Sequence, residues 1–84
     1  MTQPEILDAI RRFVNDTREN KGLPVITVQE STALLGGDAG LDSLDLAALV
    51  VELQSATERD PFEQGFINFT TAGELAELFA GVRA

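Results

Sequence analysis

The chain predicts an all-α fold: a small bundle of three main helices plus a short one, with a long loop between the first and second. Two observations carry that prediction. Apolar residues recur at helical spacing in three separate stretches, each opened by a residue that caps helix starts. The 84 residues also include no Cys, His, Tyr or Trp, so Leu, Ile, Val, Ala and five Phe must build the core. A domain of this size buries only about 60% of its unfolded surface. With no cross-link to reinforce it, packed helices are the economical solution. The whole chain, residues 1–84, reads as one domain without repeats or low-complexity tracts.

The first helix starts at Thr2, which forms a capping-box pattern with Glu5, and Pro4 suits its first turn. Ile6, Ile10, Phe13 and Val14 make its apolar stripe, with Asp8, Arg11, Arg12 and Asp16 placed on the wet side. Asn20-Lys21-Gly22, followed by Pro24, ends it. Residues 22–41 then form a connection long enough to suggest a functional loop. Val25, Ile26 and Val28 look strand-like but have no partner strand. They read as loop residues docking on the bundle, with Leu34 and Leu35 as further anchors, and Gly36-Gly37-Asp38-Ala39-Gly40 reads as a flexible turn.

The second helix has Asp42 as N-cap and Asp45 in its first turn, and runs to about Thr57. Leu44, Leu46, Ala47, Leu49, Val50, Val51 and Leu53 make it apolar on most sides, which predicts burial against several neighbours. Asp60-Pro61 is a break. Phe62, Phe66, Ile67 and Phe69 follow at irregular intervals and allow one short helical turn among loop. The last helix opens with a second capping box, Thr71 and Glu74. Leu75, Leu78, Phe79 and Val82 form its stripe.

Charge narrows the function. Fourteen acidic residues against six basic give a net charge of −8. That balance argues against nucleic acid, whose phosphates are bound by Lys and Arg. Between Gly22 and Glu58 there is no basic residue, whereas Glu30, Asp38, Asp42, Asp45, Glu52 and Glu58 are all acidic. Such a one-signed stretch attracts partners with basic patches. The longest apolar run, Leu46 to Val51, falls far short of the ~20 residues of a membrane span. The N-terminal residues show no secretory signal, so a cytoplasmic monomer is the expectation.

One segment carries candidate chemistry: Gly40-Leu41-Asp42-Ser43-Leu44-Asp45. Ser43 falls in the first turn of a helix beyond a glycine-rich loop, so its hydroxyl should be exposed. A phosphate attached there would meet free N–H groups and the positive helix end. Asp42 and Asp45 would offer acidic handles to an incoming enzyme. The plainer reading of the same residues is a helix cap.

This segment resembles the Asp-Ser-Leu signature of acyl and peptidyl carrier proteins. The layout agrees over nearly the whole chain: an acidic domain of this size, a long loop after the first helix, the serine opening the second helix, and a Thr-Thr pair, Thr70-Thr71, before the last. The resemblance implies that Ser43 receives 4'-phosphopantetheine from coenzyme A through a phosphopantetheinyl transferase. The arm would carry acyl or aminoacyl groups as thioesters, loaded by a ligase and presented to acyltransferases or synthases. The second helix would then be the recognition surface, with Asp42, Leu44, Asp45, Leu46, Ala48 and Glu52 as its partner-facing residues. Short acyl chains could sit near Val50, Val51, Leu53 and the Phe62–Phe69 cluster, although a packed core accounts for those residues equally well.

The departures from the family are specific. Ala48 stands where fatty-acid carriers have an acidic residue, Gln54 and Ser55 replace an acidic pair, and Arg59-Asp60-Pro61-Phe62 interrupts an acidic, isoleucine-rich stretch. They point to a specialised lipid, polysaccharide or secondary-metabolite pathway, or to an aminoacyl carrier, rather than housekeeping fatty-acid synthesis. An enzyme is disfavoured, because a Ser43 nucleophile would need an activating base and the chain has no His and one Lys. No metal-ligand pattern is present; Asp38 to Asp42 lacks the alternation of a calcium loop. The remaining alternative is an acidic helical interaction module without a prosthetic group.

Overall fold

In the computed structural model, residues 2–35, 37, 39–63, 65 and 68–81 are described. Three helices follow in order: α1 (Gln3–Asn20), α2 (Ser43–Thr57) and α3 (Ala72–Ala80). Each starts with a reciprocal capping box: Thr2 with Glu5, Asp42 with Asp45, Thr71 with Glu74. In each box two of the orphan donors at a helix start are satisfied by local sequence alone. Among the described residues no helix is long and apolar enough to cross a membrane.

The core lies between α1 and α3, which pack on each other more extensively than either packs on α2. Ile6, Ile10 and Val14 from α1 meet Leu75, Ala76 and Phe79 from α3, with Leu49 and Leu53 of α2 completing the cluster. Phe13 of the expected α1 stripe is only partly buried, and Leu7 is buried instead. The Cα radius of gyration is 11.9 Å, the value of about 12 Å expected for a compact chain of this length.

The long connection is tied down by side chains of α1. Arg11 Nε donates to the Val28 carbonyl (2.7 Å), and Asn15 both donates to the Ile26 carbonyl (3.0 Å) and accepts from its N–H (2.8 Å). Arg18 donates to the carbonyls of Pro24 (2.8 Å) and Ala39 (3.1 Å). Residues 11, 15 and 18 share one helix face, so α1 buries an apolar stripe and uses a polar stripe to hold the loop. Arg11 is therefore half-buried rather than on the wet side. Farther along, Ala33 bridges Thr71, and Ala72 and Gly73 donate to the carbonyls of Thr32 (2.9 Å) and Glu30 (2.8 Å). Gly73 permits that approach, since a Cβ there would lie 2.9 Å from the Glu30 carbonyl oxygen.

Four expectations need correction. Val28 and Leu34 are buried anchors of the loop, but Val25 and Leu35 are 61% and 53% exposed. The α1 polar stripe grips the backbone of residues 24–28, so Val25's side chain need not dock. The loop does find backbone partners, through Ala33 and Leu35, the latter bridging Leu41. Second, α2 is not buried on most sides. Only Leu49 and Leu53 are buried, whereas Leu44 and Val51 are 81% and 63% exposed, because α2 lies against the bundle along one edge. Third, the described residues of 58–69 form turns in place of a short helix. Glu63 and Gly65 donate to the carbonyls of Asp60 (3.2 Å) and Phe62 (3.0 Å), and Pro61 and the left-handed Glu58 stop helix propagation. Finally, the Gly36–Gly40 turn is braced where it is described: Ala39 is buried and its N–H donates to Ala33. Gly36, Asp38, Phe66, Ile67 and Val82 lie outside the described residues.

Candidate functional site

The chain enters the site through Gly40, whose φ of +69° would strain any other residue. Arg18 braces this approach through the Ala39 carbonyl, and its guanidinium would be 3.1 Å from a Cβ at Gly40. Leu41 is buried and anchors the turn. Asp42 then takes the extended conformation of an N-cap, its Oδ1 accepting from the Asp45 N–H at 2.8 Å. Asp45 Oδ2 returns the bond, accepting from the Asp42 N–H at 3.2 Å.

Ser43 is the first residue of α2 and is exposed. The Asp45 and Leu46 N–H groups are used by the Asp42 side chain and carbonyl. The Ser43 and Leu44 N–H groups are left without an intrahelical partner, as the first donors of a helix are. The site therefore combines a free hydroxyl, two uncommitted donors and the positive end of a 15-residue helix.

Beside Ser43 runs an open apolar groove of about 450 Å³, lined by Leu46, Ala47, Val50, Val51, Gln54, Phe62 and Phe69 with Ser43 itself. The α2 members follow from spacing: Ala47, Val50 and Gln54 come four, seven and eleven residues after Ser43 and so share its face. Phe62 forms the link to the core, 5.9 Å from Phe69 and 6.1 Å edge-to-face from Phe79 between ring centroids. Leu53, for which the sequence allowed either such a space or the packed core, is in the core. Val50, Val51, Phe62 and Phe69 do line the groove.

A second α2 face carries Leu44, Ala47, Ala48 and Val51, all exposed at helical spacing. Leu46 is half-buried on the groove side. Glu52 is not brought to Ser43. It lines a separate recess of about 290 Å³ with Arg12 and Asp16, on the edge of α2 that faces α1.

Lys21 is the residue that sequence order conceals. It caps the C-terminus of α1, and its ammonium group forms a hydrogen-bonded ion pair with Asp45, 24 residues away, with Asp42 Oδ2 at 3.9 Å. Lys21 holds the Asp45 carboxyl below the usual aspartate range, helped by the Asp42 N–H, and Asp45 raises the Lys21 amine. The acidic stretch is thus partly neutralised beside Ser43. Among the described residues, no cluster of three or more potential metal ligands occurs. Comparison with protein-family models, curated proteins and solved structures finds no significant match to this chain.

Proposed function

We propose that the protein is a carrier in which Ser43 bears a 4'-phosphopantetheine arm and intermediates ride on that arm as thioesters. The observation that carries this reading is an exposed serine opening α2 beside an apolar groove. The residues suit the group. The Ser43 hydroxyl is accessible for a phosphodiester, the Ser43 and Leu44 N–H groups remain to hydrogen-bond it, and the helix end favours its charge. When attached, the arm supplies the thiol that a chain without Cys lacks.

The surface also bears on the class of partner. Where fatty-acid carriers present acidic residues along the second helix, this chain exposes Leu44, Ala47, Ala48 and Val51. Apolar contact with the transferase, the loading ligase and the acyltransferase or synthase therefore outweighs charge along most of α2. That favours a specialised pathway over housekeeping fatty-acid synthesis.

The same exposed stripe is what an interaction module without a prosthetic group would use, and intact-mass measurement separates the two. Wild-type protein incubated with coenzyme A and a broad-specificity phosphopantetheinyl transferase should gain one arm, and Ser43→Ala none. An unmodified wild type, or a modified Ser43→Ala, would overturn the carrier reading.

A further inference from the structure

We propose that Arg18 is the positioning residue for Ser43: its guanidinium clamps the two ends of the long connection together and so fixes how the serine is presented to the modifying enzyme. The inference rests on the carrier reading and goes beyond it by naming a residue, remote from the serine in sequence, on which modification depends. In sequence Arg18 is an ordinary cation in the last turn of α1, where it complements the helix dipole. The fold gives it a second task.

Arg18 is half-buried and engages the start of the connection twice. Its carbonyl accepts from the Leu23 N–H at 2.8 Å, and its Nε donates to the Pro24 carbonyl at 2.8 Å. Its Nη1 reaches the other end and donates to the Ala39 carbonyl at 3.1 Å. One planar fork thus holds carbonyls from both ends of the connection, which a single ammonium matches less well. The Ala39 and Gly40 N–H groups bond within the turn, to the Ala33 and Gly37 carbonyls, which shapes the turn without tying its backbone to a helix. Arg18 supplies that tie, immediately before Gly40-Leu41-Asp42 leads into Ser43. Gly40 itself passes against the same guanidinium, since a Cβ there would lie 3.1 Å from Nη1. The body of α2 is secured separately, by its capping box and by Leu49 and Leu53 in the core. Loss of the clamp therefore leaves the helix formed and loosens the turn that delivers the chain to its first residue, Ser43.

The test uses three variants of the full chain. Arg18→Met keeps the apolar stem and removes every donor, and Arg18→Lys keeps the charge. Asn15→Ala releases Ile26 and leaves the Ala39 end untouched. Initial rates of arm transfer from saturating coenzyme A by the broad-specificity transferase are measured against carrier concentration, at a temperature where every variant is folded. Amide hydrogen exchange is measured alongside. A residue that only adds stability leaves kcat unchanged under those conditions. Arg18→Met should instead lower kcat roughly 10-fold or more with KM within about two-fold, because the binding surface of α2 persists while the reacting hydroxyl is misplaced. Arg18→Lys should fall between Arg18→Met and wild type, and Asn15→Ala should keep the wild-type kcat despite its lower Tm. The Ala39 and Gly40 amides should exchange faster in Arg18→Met than in Asn15→Ala. Equal kcat in Arg18→Met and Asn15→Ala, full recovery in Arg18→Lys, or unchanged exchange at Ala39 and Gly40 would overturn the inference. A wild type that accepts no arm overturns the carrier reading instead, and the role of Arg18 in modification with it. Amide exchange then still decides whether Arg18 holds the turn.

Discussion

Asn15 shows how much structure one polar side chain can organise. Its amide both donates to and accepts from Ile26, reproducing for a loop residue the pairing a neighbouring strand would provide. Replacing Asn15 with Ala strands a partly buried N–H and carbonyl, so Asn15→Ala should cost about 1–3 kcal/mol in denaturant unfolding. Ser43 is the opposite case: exposed and uncommitted, it should tolerate Ala with little change in stability while losing all modification. The Lys21–Asp45 pair adds a pH signature. The Asp45 pKa is lowered in the folded state, so its contribution is complete above the ordinary aspartate value of about 4 and is lost as pH falls through the depressed value. The Lys21 pKa is raised, so its contribution is complete below about 10 and is lost as pH rises through the elevated value. Tm measured against pH should therefore fall at both extremes, and Lys21→Gln should flatten the alkaline fall.

Within α2, exposure separates residues that composition treats alike. Leu53 is 1% exposed and Val51 is 63% exposed, although both belong to one apolar run interrupted only by Glu52. Leu53→Ala should cost about 2–5 kcal/mol by leaving a cavity, whereas Val51→Ala should stay within about 0.5 kcal/mol. Partner-dependent activity should show the reverse order, since Val51 is on the open face beside the groove. The end of the helix is informative as well. Glu58 takes a left-handed conformation with φ of 54°, which a side chain disfavours by about 1 kcal/mol or more. Glu58→Gly should raise Tm by several degrees in a domain of this size, and an unchanged or lowered Tm would show that the Glu58 side chain compensates.

For the whole molecule, the packing arrangement explains how a small domain exposes so much apolar helix. α1 and α3 form the main core, and α2 leans on it through Leu49 and Leu53. That leaves the groove side of α2 and the adjoining Leu44 and Ala48 exposed without sacrificing the core. The net charge of −8 acts on the same scale. Self-repulsion of like charge opposes compaction and is screened within about 10 Å at 0.1 M salt. Tm should thus rise between low and moderate NaCl concentration, and a fall would mean that the surface ion pairs outweigh the repulsion.

Local features were legible in the sequence to the extent that their causes are local. The capping boxes of α1 and α3, Asp42 as the N-cap of α2, the ends of α1 and α2, and the place of Ser43 at a helix start depend on residues within four positions of one another. Of the α2 side of the groove, Val50, Val51 and Leu53 stand out alike in the sequence, and nothing local shows that Leu53 goes to the core while Val50 and Val51 line the groove. Hydrophobicity could not reveal which apolar face of α2 meets the core, because the helix is apolar nearly all round and packing alone breaks that symmetry. Nor could residue order reveal Lys21 beside Asp45, since it takes the fold to close a separation of 24 residues. The chain by itself determined a serine at the positive end of a helix in an acidic domain. The tertiary structure decided that this serine borders a groove and that Lys21 pairs with a carboxylate beside it, because burial and ion pairing arise between segments distant along the chain.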